Sequence, residues 1–356
     1  MPNTFTEKVK KCMTEDGHGP FCVFLYFISV IYSVAVRIRA WFYVAGVFKS
    51  VRLGCKVISV GNITVGGSGK TPVTMHVAEL LKKSGYKVLV LSRGYGRSTK
   101  GMVVVSDGIQ ILRSPSESGD EPYLMATRLK GVPVVVGEDR VKAGKAAIEL
   151  FKPDVIVLDD GFQHLRLCRD LNIALIDGAI GLGNGYLLPR GIMREGLPAL
   201  LRADMLMVKG TALAPDVLRG INGPSKPLFN FTLAPQKFVD LKSGKDLPLS
   251  SLKGARAVAV AGLASPEQFF KTVEGIGVKI VKRLAYPDHH AYIESDLQAM
   301  EADGAEVVIT TEKDGVKLVV LAKGIRLGIV ALSVDAPVTG EDEFKKIINN
   351  SVKRTA

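Results

Sequence analysis

Three glycines, Gly66, Gly67 and Gly69, stand immediately before Lys70 and Thr71 in the stretch VISVGNITVGGSGKTPVTMHVAELLKKSG, residues 57–85. Glycines at such a turn let backbone N–H groups face phosphate oxygens. The lysine can reach the β- and γ-phosphates, and the threonine hydroxyl can ligate Mg²⁺. The set expected to hold a nucleoside triphosphate is Thr64, Val65, Gly66, Gly67, Ser68, Gly69, Lys70 and Thr71. The strict pattern GxxxxGK[ST] asks for glycine where this chain has Thr64, a departure softened by the two glycines that follow. A metal beside such a loop needs a carboxylate, and DVIVLDDGFQH supplies Asp159 and Asp160 at the end of an apolar run, with Gln163 and His164 in the loop beyond. Alone, the two aspartates would read equally well as a turn.

Three further clusters carry charge next to turns. SGDEPYLMA puts Asp120 just ahead of a helix pattern, where an aspartate also serves as an N-cap. GNGYLLPRGIMREG offers Arg190, Arg194 and Glu195 around glycine turns, suited to binding phosphate near the sheet edge or to a solvated loop. LSRGYG places Arg93 and Tyr95 where a strand ends.

The elements that must position these residues are legible as alternation. Strands are expected at 57–60, 87–91, 132–136, 155–158, 173–176 and 205–208, with amphipathic helices at 71–84 and 139–150 between them. Strand–helix alternation of this kind specifies an α/β fold of the P-loop NTPase type. It is a doubly wound, mostly parallel sheet with ligands at the carboxyl ends of its strands. Pro224, Pro227, Pro235 and Pro248 punctuate a connector, after which ARAVAVAGLASPEQFFKTV restarts a second, smaller α/β domain. Ser265 is expected to cap the helix there, with Pro266 at its first position and Gln268 completing a capping box. The expected division is an N-terminal segment 1–56, a nucleotide-binding domain 57–227, a linker 228–253, a smaller domain 254–335 and a C-terminal helix in 336–356.

The chain has 356 residues and a formal net charge of +12, which favours an anionic partner. Phe21–Val36 is uncharged and apolar, about 24 Å of helix at ~1.5 Å per residue and so short of a full span. Tyr26, Ser29, Ser33 and Arg37 form a thin polar stripe along it. From Gly17 to Ala78 there is no acidic residue, while Arg37, Arg39, Lys49, Arg52 and Lys56 are basic and Trp41, Phe42 and Tyr43 lie among them. That combination predicts peripheral attachment to an anionic membrane surface. The acidic pair Glu15-Asp16 ahead of the apolar run argues against a secretory signal. Four scattered cysteines without a CxxC pair argue against a zinc site and a disulfide framework, and suit a reducing compartment.

The motifs SVGNITVGGSGKTP, SRGYG, GDEPYLMA, LDDGFQH, GNGYLLPRGIMRE, YPDHHAY and TTEKDGVK occur in that order over most of the chain, which resembles the tetraacyldisaccharide 4'-kinase family. The resemblance implies an ATP- and Mg²⁺-dependent kinase acting on the 4'-hydroxyl of the acylated glucosamine disaccharide 1-phosphate, a lipid A precursor. It also implies a monomer on the cytoplasmic face of the bacterial inner membrane, and a two-stranded linker between domains. Asp120 is implied as the base, assisted from the other domain by a histidine of YPDHHAY, either His289 or His290. Lys70 would neutralise phosphate charge, Thr71, Asp159 and Asp160 would manage Mg²⁺, and Gln163 and His164 match active-site positions. Arg194 and Glu195 would organise the acceptor or the γ-phosphate side, with Arg93, Tyr95, Asn184 and Arg190 as substrate-side candidates.

Two other classes compete. A guanine-reading switch protein needs an [NT]KxD box, and TTEKDG lacks the spacer between Lys313 and Asp314. Nucleic-acid binding fits poorly, because the acid-free basic stretch coincides with an apolar helix.

Overall fold

The computed structural model describes residues 5–14, 19–210 and 226–353 and divides into two compact units, each discontinuous in sequence. Pro224 and the Glu15-Asp16 pair lie outside the described residues. The first unit comprises residues 1–92, 140–232 and 338–356, and the second 93–139 and 233–337.

In the first unit, α1 (Phe5–Thr14) and α2 (Pro20–Val44) precede β1 (Lys56–Asn62), α3 (Lys70–Lys83) and β2 (Val88–Ser92). After residues 93–139 the chain returns as α6 (Arg140–Phe151), β5 (Val155–Asp159), β6 (Leu171–Asp177), β7 (Met205–Lys209) and β8 (Leu228–Phe231). These strands are parallel in the order β2-β5-β1-β6-β7-β8. They read as near-continuous Val, Ile, Leu and Met because both faces are covered, and the interiors of β1, β5 and β6 are buried throughout. Val60 pairs with Asp159, so the phosphate loop after β1 and the paired aspartates after β5 leave the sheet side by side. Gly61 is required at this point: a Cβ there would lie 2.7 Å from both the backbone N and the Cβ of Phe162. The small residue lets the Asp159–Phe162 turn close against β1.

The apolar segment is one helix longer than expected, 25 residues from Pro20 to Val44, or about 37 Å at 1.5 Å per residue. It carries Arg37 and Arg39 within it. Ser29 of its polar stripe faces the protein, while Arg37 at the far end of the stripe is exposed. Ser29 is buried and donates to the Leu187 carbonyl at 2.8 Å, Tyr32 donates to the Arg194 carbonyl at 3.0 Å, and Tyr26 packs edge-on to Tyr186. Phe24, Phe27, Ile31, Val34 and Trp41 are exposed on the other side. Cys12 and Cys22 form a disulfide with Cα atoms 5.6 Å apart, which corrects the expectation of no such bond. Their positions in two helices bring together residues ten apart that no short motif would pair.

The second unit holds an antiparallel pair, β3 (Val103–Ser106) and β4 (Val134–Val136), with α4 (Pro115–Ser118) and α5 (Asp120–Arg128) between them in sequence. Its larger sheet runs in the order β10-β9-β14-β13-β11-β12. Those strands are β9 (Ala234–Asp240), β10 (Asp246–Pro248), β11 (Arg256–Ala261), β12 (Lys279–Ala285), β13 (Val307–Thr311) and β14 (Gly328–Asp335). Helices α7 (Pro266–Gly275), α8 (Glu294–Met300) and α9 (Glu312–Leu321) complete it. Arg128 of α5 ties the two parts of this unit together, reaching Glu312 at 2.7 and 2.9 Å and Ser333 at 2.6 Å.

The chain therefore divides differently from the contiguous segments expected. Residues 93–139 join the C-terminal part of the chain. Residues 233–253, expected as a linker, contribute strands β9 and β10 to the second unit's sheet, while β8 extends the first. The C-terminal helix α10 (Glu341–Val352) belongs to the first unit, where Phe344 meets Phe229 and His76. Pro266 begins α7 as expected, but Ser265 makes no side-chain cap bond there.

Candidate functional site

The phosphate loop spans the seven residues between β1 and α3. Gly66 and Gly69 have φ of 109° and 82°, in the range that glycine tolerates. Around Gly66 and Gly67 a Cβ would meet nothing within 4 Å, so the loop presents open backbone. Gly69 is the N-cap of α3 and no side chain caps the helix. Its first-turn N–H groups and the positive end of its dipole are thus available to an anion. Asn62 braces the loop from beneath, donating to Ser68 at 2.8 Å, and Lys209 donates to the Gly67 carbonyl at 3.3 Å while pairing with Asp177 at 3.0 Å.

The two aspartates have different surroundings. Asp159 is buried and accepts from the Thr74 hydroxyl at 3.2 Å and the Ser92 hydroxyl at 3.0 Å, which fixes α3 to the ends of β5 and β2. Asp160 turns the other way, on a backbone with φ of 49°, an uncommon conformation for a non-glycine residue and frequent at functional sites. It receives Arg194 at 2.8 and 2.9 Å and lies 4.0 Å from the Lys70 ammonium. Burial would raise its pKa, but Lys70, Arg194 and Arg140 outweigh that and hold the carboxyl below its ordinary value. Asp160 is therefore an ionised, partly exposed oxygen donor beside Lys70, the residue that precedes Thr71, which suits a hard cation such as Mg²⁺.

Other expected residues divide between this site and structural duties. Gln163 donates to the Asn62 carbonyl at 2.7 Å, and its own carbonyl accepts from Arg39 of α2 at 3.0 Å. His164 belongs to the same turn, its backbone N–H bonded to Gly161. Asn184 and the buried Arg190 both donate to the Cys12 carbonyl, so they anchor the N-terminal helix instead of facing the phosphate loop. Glu195 is buried and pairs with Arg202 at 2.5 Å, away from the Arg194–Asp160 contact. Glu195 and Arg202 help line a cleft of about 700 Å³ whose other walls include Val36, Trp41, Leu165 and Leu201.

The second constellation lies entirely in the second unit. Asp120 opens α5, and the N-cap position belongs to Gly119, so the carboxylate is not spent on capping. Gly119 has φ of 90°, and a Cβ there would sit 2.8 Å from the Tyr95 carbonyl. This close approach brings the Tyr95 loop next to Asp120. His289 Nδ1 lies 3.1 Å from Asp120 Oδ2, and the Tyr95 and His289 rings have centroids 5.4 Å apart. His289 also has a positive φ, 61°. His290 goes elsewhere: it stacks on Tyr286 and bonds Asp296 at 2.9 Å in the first turn of α8. Of the two histidines left open by the sequence, His289 is the one that touches Asp120. Asp288 does not cap that helix but accepts from the His289 N–H and from Lys313. Arg93 is exposed at the start of the loop that carries Tyr95.

The expected arrangement, with base and histidine on different domains, is corrected: both are in one unit, and the phosphate loop is in the other. Sequence reasoning missed two lysines of α9. Lys317 lies 3.4 Å from Asp120 Oδ2, and Lys313 lies 3.3 Å from His289 Nε2. Their signal was the i, i+4 spacing in TTEKDGVK, which puts both on one helix face. Burial would push the Asp120 carboxyl up, yet the His289 hydrogen bond and the charges of Lys317 and Lys313 hold it below its ordinary value. An ionised carboxylate, oriented by an imidazole, can accept a proton from a hydroxyl.

The family model described as tetraacyldisaccharide-1-P 4'-kinase matches residues 21–353. A protein named tetraacyldisaccharide 4'-kinase from Syntrophus aciditrophicus is 45% identical, covering 98% of each chain. Its namesake from Pelobacter propionicus is 42% identical over 90% of this chain and 91% of its own. A crystal structure of LpxK from Aquifex aeolicus in complex with ATP superposes with a TM-score of 0.78 at 35% identity, covering 94% of this chain and all of that one.

Proposed function

The chain belongs to the tetraacyldisaccharide-1-P 4'-kinase family, and from that premise we propose how its own residues carry out the transfer. The protein is an ATP-dependent kinase of lipid A biosynthesis that phosphorylates the 4' position of the acylated disaccharide precursor. The phosphate loop and Lys70 bind the triphosphate, and the uncapped N-terminus of α3 adds its dipole to the neutralisation of charge. Thr71 and Asp160 would hold Mg²⁺, with Asp159 locking α3 and β5 behind them. When bound, the ion would supply Lewis-acid neutralisation of the phosphate oxygens. Asp120 accepts the proton of the 4'-hydroxyl as that oxygen bonds to the γ-phosphorus. The bond from phosphorus to the β–γ bridging oxygen breaks, and ADP leaves with that electron pair. Arg194 keeps Asp160 ionised and orients it.

The acceptor is a lipid, and the exposed apolar face of α2 supports attachment to a bilayer. Arg37, Lys49 and Arg52, all exposed, flank that face and fit an anionic leaflet. We place the protein, as a peripheral monomer, on the cytoplasmic side of the inner membrane, where ATP is available. The cleft between α2 and residues 165–204 has the size and the apolar walls to receive acyl chain.

The observation that carries this reading is an Asp120 carboxylate held ionised against His289 and left unused by the helix it begins. The test is transfer of label from γ-labelled ATP to the acylated disaccharide 1-phosphate. Label in the lipid, with little ATP turnover when lipid is omitted, is expected. Equal turnover without lipid would turn the assignment toward a switch ATPase.

A further inference from the structure

Lys313 makes three contacts through one ammonium group: Asp288 Oδ1 at 2.8 Å, Glu121 Oε1 at 3.3 Å and His289 Nε2 at 3.3 Å. An ammonium has three protons to donate and no lone pair, so these partners use its whole capacity. Burial would lower the pKa of Lys313, but the Glu121 and Asp288 carboxylates outweigh it and hold the group above its ordinary value. It is therefore a donor only. A ring nitrogen facing it must offer a lone pair, and the proton of the neutral imidazole must then be on the other nitrogen. That nitrogen, Nδ1, is the one 3.1 Å from Asp120 Oδ2.

We propose that Lys313 is a positioning residue that fixes His289 as its Nδ1–H tautomer, making the imidazole a donor that orients Asp120 and closing Nε2 to proton relay. The inference deepens the assignment of Asp120 as base and rests on it for its functional meaning. The surroundings reinforce the geometry. The residue is held by its left-handed backbone, by the bond from its backbone N–H to Asp288 Oδ1 at 3.0 Å and by the contact of its ring with Tyr95. Lys317 makes a parallel set of contacts one turn later, reaching Asp120 Oδ2 at 3.4 Å, Asp314 Oδ1 at 3.4 Å and the His290 carbonyl at 2.9 Å. Asp314 is fully buried and held by the Gly262 N–H and the Thr311 hydroxyl, both at 2.8 Å, so α9 presents the two lysines from a rigid base. With Nδ1–H donating to Asp120 and the Lys317 ammonium beside it, the proton leaving the acceptor hydroxyl ends on the carboxylate and goes no further through the ring.

The test is nitrogen NMR of the full chain in detergent micelles, with labelled histidine, at about pH 8.5, where an ordinary histidine is neutral. The His289 signals are assigned by their loss in His289→Gln. Wild type is expected to show a protonated, pyrrole-type Nδ1 and an unprotonated, pyridine-type Nε2. Lys313→Met should shift the population several-fold toward the Nε2–H form, and Lys313→Arg should restore the wild-type pattern. A pyrrole-type Nε2 in wild type, or an unchanged ratio in a folded Lys313→Met protein, would overturn the proposal. If Lys313→Met does not fold, the wild-type spectrum decides alone. Because the spectrum is independent of turnover, a wrong tautomer leaves the base role of Asp120 standing, and an active Asp120 variant leaves the tautomer standing.

Discussion

The exposed side of α2 makes a quantitative prediction about membrane attachment. Phe27 and Ile31 are 62% and 71% exposed, one turn apart, on the face opposite the Ser29 and Tyr32 anchors. Full burial of such side chains is worth about 1.5–3 kcal/mol each, so covering their exposed fractions with lipid gives about 3 kcal/mol together. Replacing both by serine should weaken partitioning onto anionic vesicles by about two orders of magnitude. The free protein has little to lose, since neither residue is buried in it, and its thermal midpoint should stay within about a degree or two. Sedimentation with phosphatidylglycerol-containing vesicles, at fixed protein and varied lipid, reads the partition coefficient directly. Raising salt should weaken binding of both proteins through Arg37, Lys49 and Arg52. Unchanged partitioning of the double variant would refute the argument. So would a large fall in its midpoint, because the face would then be packed against protein and unavailable to lipid.

Arg128→Met removes the cation that faces Glu312 and Asp335, leaving a nearly buried carboxylate uncompensated at Glu312. A loss of about 3 kcal/mol is expected, read as a lowered unfolding midpoint in calorimetry. Lys317→Met should move the acid limb of kcat/KM to higher pH, because a cation 3.4 Å away favours ionised Asp120. The sign follows from the depressed pKa: the base is ionised above it, and activity is lost as pH falls through it. Lys317→Arg should return the limb toward its original position, and a profile that does not move would remove Lys317 from the account. Chelation of divalent ions should abolish transfer, with Mg²⁺ restoring it, if Thr71 and Asp160 hold the metal; transfer in the presence of chelator would contradict that role.

What was legible in the chain was local. The apolar run, glycine turn and amphipathic helix of residues 57–84 form β1, the phosphate loop and α3 within a residue or two of expectation, because one turn's chemistry sets all three. Strand β5 and its aspartates were equally plain. Which aspartate faces the loop was not, since the answer depends on Thr74, Ser92 and Arg194, all distant in sequence. The pairing of residues 93–139 with 233–337 is long-range and leaves no periodic mark, so the contiguous domain boundaries were misplaced. His289 and His290 are identical by type; the left-handed backbone at one and the Asp296 partner of the other separate them. Arg190 and Asn184 looked like anion binders because the carbonyl they serve, that of Cys12, belongs to a helix far away in sequence.

Asp120→Asn offers the most direct measurement of the central claim. The substitution keeps the size of the side chain but removes its ability to take a proton. With ATP, Mg²⁺ and the acylated disaccharide 1-phosphate, kcat should fall by about 10²–10⁴-fold, the usual contribution of a positioned general base. ATP affinity, which depends on the loop around Lys70, should be unchanged. A variant that transfers phosphate to the lipid at the wild-type rate would contradict the account.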